Sequence, residues 1–291
     1  MFMLSEPAGL RQCSPGTTLY HYTKSKGING ILSNNCFWAT KSDFLNDPDE
    51  FRSLHDLVAS ILETCVPNSK ARTRFLHDVF APDYSTGNDR KQDYFVLSFS
   101  ECRDSITMWS EFGVKTGYSL AMDGEEIVRR IQEKNRIEYH GYVIYDEEEK
   151  RQIVEAMLTG KLPMLLGSSL ADALNEGIQE GVSLIYNRAC HKFRKAAALY
   201  SMFFKNEAFA REEEYRFVFR RTEFTEVHFR EKDGFLIPYI EVPLSDSLLP
   251  VTEITVAPMN YMDLAEKGVR YLLQLKGYDV KVGLSDIKLR Y

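Results

Sequence analysis

No apolar run in this 291-residue chain approaches the ~20 residues needed to cross a bilayer. The opening stretch, MFMLSEPAGLRQCSPG, lacks the basic segment and long apolar core of a secretory leader. Five cysteines (Cys13, Cys36, Cys65, Cys102, Cys190) are scattered, odd in number and never in a CxxC pair. That distribution speaks against a disulfide framework or a cysteine-rich zinc site and points to reduced thiols in a cytoplasmic protein with no membrane partner. GxGxxG, P-loop, HExxH and GxSxG motifs are all missing, which removes support for the common nucleotide, zinc and serine-hydrolase readings. The six histidines show no ligand spacing, so no metal is expected. A formal net charge of −6 is the wrong sign for tight, sequence-independent binding to nucleic acid.

Aromatic residues are plentiful instead. With 18 Phe and 16 Tyr, the core and any cleft should be lined by rings. The organising stretch runs from Tyr94 to Asp123. Tyr94–Ser100 is aromatic and β-branched enough to be a buried strand. Asp104 or Ser105 caps a short helix carrying Met108, Trp109 and Phe112, and Gly117 opens a second apolar strand. Ser98, Ser100 and Glu101 sit where the first strand ends, beside one of only two tryptophans, as in a pocket wall.

Along the rest of the chain, Thr18–Tyr22 reads as a strand with Leu19 and His21 on one face. Thr23 or Ser25 caps a helix, Cys36–Thr40 is a strand, and Asn46-Asp47-Pro48 forms a turn. Helical spacing covers Glu50 to Phe80, broken at Pro67, and residues 82–92 form a surface loop. Further on come a helix at 125–135 and a strand at 137–145. Residues 147–208 then form a helical insertion, interrupted at Pro163 and Gly167 and ending in a helix from Ser183 through Phe204. Strands return at 214–220, 235–242 and 254–257, followed by a helix capped by Asn260 and strands at 278–282 and 287–289. The expectation is a single α+β domain over 1–291: a twisted, mainly antiparallel central sheet with flanking helices.

Two features suggest chemistry. His21 stands in a strand between Tyr20 and Tyr22, and Glu212-Glu213-Glu214-Tyr215-Arg216 runs acids into a strand. Strict alternation puts Glu212 and Glu214 on the face of Arg216, with Glu213 opposite. A carboxylate on a pleated strand is held more rigidly than one on a loop, as a catalytic role requires. The competing readings are a strand histidine satisfied by the core and a solvated charge cluster.

YHYT (20–23), FLNDP (44–48), VLSFSE (96–101), MWSEFG (108–113), GYSLAMD (117–123) and the Lys205–Arg216 segment together resemble the family termed domain of unknown function 2971, an uncharacterised bacterial family. The resemblance covers most of the chain but not residues 147–200. Tyr215 stands where that family usually has Trp, and Ala257 where it often has Gly. More distantly, the order of motifs is similar to ADP-ribosyltransferases: an early strand histidine, a central strand bearing Tyr or Ser, and a late Glu on a strand.

That second similarity implies an ADP-ribosyltransferase-like fold and an enzyme that uses NAD as substrate, for ADP-ribose transfer or NAD hydrolysis, as a bacterial toxin or phage-defence effector. Glu214 would stabilise the oxocarbenium charge on the ribose, and Glu212 would activate an acceptor. His21 would bond a ribose hydroxyl, Ser98 or Ser100 a ribose or the nicotinamide amide, and Tyr118 would stack on nicotinamide. Tyr22 and Trp109 would complete the wall. The acceptor is open between protein, nucleic acid and small molecule. Two alternatives stand beside this: a non-catalytic module binding a nucleotide or a protein, and a metal-dependent nuclease or nucleotide hydrolase using Glu101, Glu212 and Glu214.

Overall fold

The computed structural model describes residues 10–45, 50–80, 94–112, 117–180, 183–232, 234–244 and 247–288. The turn at Asn46-Asp47-Pro48 and the loop at 82–92 lie outside them. In chain order the elements are β1 (Thr18–Lys24), α1 (Ser25–Asn34), β2 (Cys36–Lys41), α2 (Glu50–Cys65), α3 (Ser69–Phe80), β3 (Tyr94–Ser100), α4 (Ile106–Phe112), β4 (Gly117–Asp123), α5 (Gly124–Lys134) and β5 (Ile137–Tyr142). Then follow α6 (Glu147–Glu155), α7 (Leu162–Leu166), α8 (Leu170–Glu180), α9 (Leu184–Phe203), β6 (Glu214–Arg220), β7 (His228–Lys232), β8 (Phe235–Pro243), β9 (Val251–Val256), α10 (Met262–Lys276) and β10 (Lys281–Leu284). The protein is α+β. Its chain separates into two compact units, one of residues 1–10, 46–91 and 143–210, the other of 11–45, 92–142 and 211–291.

The second unit holds the sheet, in the order β10-β9-β4-β1-β3-β2-β8-β7, with β6 pairing β3 and β5 pairing β6. Every strand pairing is antiparallel except β9–β10, which is parallel and reached through the crossover helix α10. Alternation decides which side chains leave water. Leu19, Phe37, Phe95, Leu97, Phe99, Leu120, Met122, Tyr215, Phe217 and Val242 all belong to one buried cluster. Helix α5 starts where its sequence says it should: the Asp123 side chain accepts from Glu126 N, and Ile127 and Ile131 face inward.

Several local expectations fail for identifiable reasons. Neither Thr23 nor Ser25 caps α1; the boundary residue is Lys24, with no side-chain cap. Asn260 does not cap α10 either, because Tyr261, at φ 62°, is the boundary residue. The HFREK stretch of β7 has too little apolar alternation to be read as a strand, yet it pairs residue by residue with β8 across a turn containing Gly234 at φ +86°. The closing strand is shifted to Lys281–Leu284 because Tyr278 is tied down instead. Its hydroxyl donates to Asn35 Oδ1 (3.0 Å) and accepts from Leu249 N (3.1 Å). Ile287 and Lys288 form no strand.

The first unit is helical. Pro67 separates α2 from α3, and the Ser183 side chain accepts from Tyr186 N to start α9. Leu54, Val58, Ile61, Phe75, Met157, Tyr186 and Phe193 fill its core. Pro163 does not interrupt its segment as expected. Helix α6 runs into α7 through a π turn at Ala156–Lys161, where Leu162 N reaches back five residues to Met157 O. Widening the helix just ahead of the proline relieves the ring's clash with the preceding turn, so the helix continues to its left-handed cap at Gly167. Inside this unit Lys150 is buried, donating to Glu147 Oε1 (2.6 Å) and to the Lys205 carbonyl (2.8 Å).

Gly177 of α8 lies tightly against Tyr186 of α9. A Cβ there would lie 2.5 Å from two ring carbons of Tyr186, itself fully buried. Helix propensity alone favours Gly177→Ala by about 1 kcal/mol, but the ring root cannot swing aside, and overpacking costs about 1–3 kcal/mol. Thermal denaturation should therefore show Gly177→Ala destabilised; a raised melting temperature would refute this packing.

Candidate active site at the divided edge of β3

One edge of β3 runs beside β6 for its whole length, from Tyr94↔Arg220 to Ser100↔Glu214. Its other edge is shared. β2 pairs with Phe95 and Val96, β1 pairs with Ser100, and Ser98 lies between them. β1 is drawn away by its seven-residue ladder with β4, and β2 by its ladder with β8. His21 closes the gap: its Nδ1 lies 3.1 Å from the Ser98 carbonyl. A carbonyl only accepts, so Nδ1 carries the proton and neutral Nε2 is left as an acceptor. The ring packs edge-on against Phe37 (centroids 4.9 Å) and tilted against Phe99 (5.4 Å). Burial is the main cause that pushes its pKa down to about 4; the Ser98 bond opposes this and the positive charge of Arg230 adds to it. At neutral pH His21 is uncharged.

Opposite Ser98 and Ser100, in register, stand Arg216 and Glu214. Both are buried, at 2% and 6% exposure. Arg216 donates to Glu214 Oε2 from Nε (2.9 Å) and lies 2.7 Å away through Nη2. Strict alternation back to Glu212 does not hold. Glu213 adopts φ 44°, so β6 begins only at Glu214, and Glu212 ends a 3-10 turn. This left-handed turn of a non-glycine residue stores strain of about 1–3 kcal/mol. Backbone bonds hold it: Glu101 N donates to Glu213 O (3.0 Å), and Ser100 Oγ donates to Glu212 O (2.6 Å). Ser100 Oγ also accepts from Cys102 N (3.0 Å), so this hydroxyl builds the loop. Ser98 is only half-buried, and its hydroxyl has no partner among the described residues.

The structure thus brings Ser98, Ser100 and Glu214 to one face of β3 and β6, with Glu212 on the turn before β6, whereas His21 leaves β1 on the opposite face, against Phe37 and Phe99, and meets this group through the Ser98 carbonyl. Tyr22 shares the face of Ser98 and carries Trp109 with it, while Tyr118 lies on the face of His21. Tyr22 leaves β1 on the opposite face from His21, packs against Trp109 (centroids 4.6 Å) and donates to the Cys102 carbonyl (2.6 Å). Trp109 is buried and gives its indole N–H to Asp104 Oδ1 (2.6 Å). Tyr118 lies in the main core, opposite Thr23. Glu101 accepts from the Tyr142 hydroxyl (2.5 Å). What the sequence did not reveal is Arg230, whose charge reaches His21 from a strand that went unread.

Among the described residues no three His, Cys, Asp or Glu side chains gather as a metal site, and no helix is long and apolar enough to cross a membrane. No curated protein and no solved structure matches the chain. One family model does, over residues 108–217, a segment that includes the helical stretch outside the motif resemblance and ends within β6. That segment matches the family described as Protein of unknown function (DUF2971).

Proposed function

We propose that this protein cleaves the nicotinamide–ribose bond of NAD, transferring ADP-ribose to an acceptor or to water. The observation that carries the reading is the buried Glu214 carboxylate in register with Ser100, on the same face of β3 as the Ser98 hydroxyl, which is unpartnered among the described residues, with the neutral His21 bonded from the opposite face to the Ser98 carbonyl in the division of β3's edge. Ser98 would bond a ribose hydroxyl on the face of Glu214, and His21 Nε2 would accept from a hydroxyl that reaches the division of β3's edge. As the C1′–N bond breaks, its electron pair leaves with nicotinamide and positive charge develops at C1′. Glu214 would stabilise that charge. An acceptor hydroxyl or water then bonds to C1′ and loses its proton, so that hydrolysis yields ADP-ribose, nicotinamide and H⁺. Glu212, at the strand's entrance, is the group to take that proton.

The double contact from Arg216 to Glu214 favours a second reading, in which this pair is structural and the module binds a nucleotide without consuming it. Turnover separates the two. Purified protein should release nicotinamide from NAD, and Glu214→Gln should lower the rate by about 10²–10³-fold. Because that change takes the Glu214 charge away from the buried Arg216, at a cost of about 3–5 kcal/mol, the folded control is Glu214→Gln with Arg216→Met. Release undiminished in both variants would remove Glu214 from the chemistry. No release by the folded wild type would leave the binding module.

His21 supplies a pH test. Its folded pKa lies below the unfolded value, so the unfolded state binds the extra proton between about pH 6.5 and about pH 4. The stability it contributes is therefore complete above about pH 6.5 and is lost as pH falls toward about 4, on the order of 2 kcal/mol in all. Chemical denaturation across that window should show this slope, and His21→Asn should flatten it. Nicotinamide release should likewise hold to well below pH 6 before its acid limb appears; a limb centred near 6.5 would contradict a half-buried His21 that is neutral at that pH.

A further inference from the structure

Arg230 of β7 is a partly buried guanidinium with very little to hold. It donates from Nη2 to Thr40 Oγ1 (2.8 Å), while its Nε is buried with no hydrogen-bond partner. No carboxylate pairs with it among the described residues. Glu241, in register with Trp38, is exposed and makes no ion pair with it. Burial lowers the guanidinium's pKa, a sign that its charge is poorly solvated. A desolvated cation without a counter-charge is costly, and proteins rarely keep one unless an anion arrives to pair with it.

The surroundings say which kind of anion. Register places Trp38 and Thr40 of β2, Tyr239 of β8, and His228 and Arg230 of β7 on one face of the sheet. Trp38 stacks on Tyr239 (centroids 4.3 Å, planes 28° apart), and His228 continues the row (5.5 Å from Tyr239). The Arg230 guanidinium carbon lies 5.9 Å from the Trp38 ring centre and 6.0 Å from that of Tyr239. Trp38 is 37% exposed, whereas Trp109 is buried. An aromatic platform beside an uncompensated guanidinium suits a ligand with a flat base at one end and a phosphate at the other.

We propose that this face of β2, β8 and β7 is a nucleotide subsite, in which Arg230 holds a phosphate and Trp38 stacks on the base. It extends the NAD reading by naming a place for the nucleotide's phosphate and base, and rests on that reading only for the nucleotide's identity. Whether the nucleotide is cleaved does not affect it.

The test is titration of the full chain with ADP, followed by tryptophan fluorescence and by calorimetry, with adenosine as the phosphate-free control. ADP should quench the Trp38 emission saturably. Adenosine should bind at least about tenfold more weakly. Arg230→Met should weaken ADP by at least about tenfold while raising the melting temperature, because an unpaired buried charge has been removed. Trp38→Phe should abolish the quench. No saturable binding of ADP to the folded wild type at about 1 mM, or equal affinity in wild type and Arg230→Met, would overturn the proposal. A lowered melting temperature with unchanged affinity would do so too, by making Arg230 a structural residue. ADP binding that depends on Arg230, with no nicotinamide released from NAD, would sink the cleavage reading and leave this subsite standing.

Discussion

The carbonyl of Ser98 faces an edge that two strands share and neither covers. A buried carbonyl left there without a donor would cost about as much as a lost hydrogen bond. The histidine that supplies the donor sits on β1, whose position is fixed by its ladder with β4, so the bond also sets how far β1 and β2 part. Closing the gap with a side chain rather than a backbone has a chemical consequence. A strand would have consumed both of its polar groups in the ladder, whereas an imidazole spends one nitrogen on the sheet and keeps the other. The geometry of the division and the availability of an acceptor in it are therefore one constraint.

The acidic run at 212–214 shows how a single backbone angle redistributes charge. Three consecutive glutamates in regular β structure would alternate sides, repelling one another at every second position. The left-handed Glu213 breaks that pattern: it alone is exposed, while Glu212 and Glu214 are buried on either side of it. Strain is accepted at one residue, and two carboxylates are brought inside. The bonds that hold the turn come from Ser100 and Glu101, the residues that end β3, so the polar end of β3 and the acidic entrance of β6 form one structure.

Much of the sheet was legible because its signal is local. Aromatic alternation in Tyr94–Ser100 and Glu214–Arg220 marks buried strands, and Ser183 marks a helix start that the backbone honours. Features set by tertiary contact were not legible. Tyr278 reads as a strand residue, yet its hydroxyl, bonded to Asn35 and Leu249, decides its place. Pro163 reads as a break, but the residues ahead of it widen into a π turn. Of the candidate site, His21, Ser98 and Glu214 were visible as residue types at strand ends. Tyr22 and Trp109 resembled them in the sequence but point into a separate small cluster with Met108 and Ala257. Alternation alone gives the two faces of a strand and cannot say which face meets a cleft.

Arg216 and Arg230 make the remaining point. Both are guanidiniums withdrawn from water on strands of the same sheet, and their sequence contexts, EYRFV and HFREK, do not distinguish them. The difference is in what faces each. Arg216 meets Glu214 two residues away on its own strand, a contact formed as soon as the strand folds. Arg230 meets a threonine hydroxyl and two aromatic rings, which solvate it poorly. A protein selected only for stability would replace such a residue, since an apolar side chain of similar length avoids the desolvation cost. That it stands in a sheet whose fully buried arginine, Arg216, is paired with a glutamate argues that its missing partner comes from outside the chain.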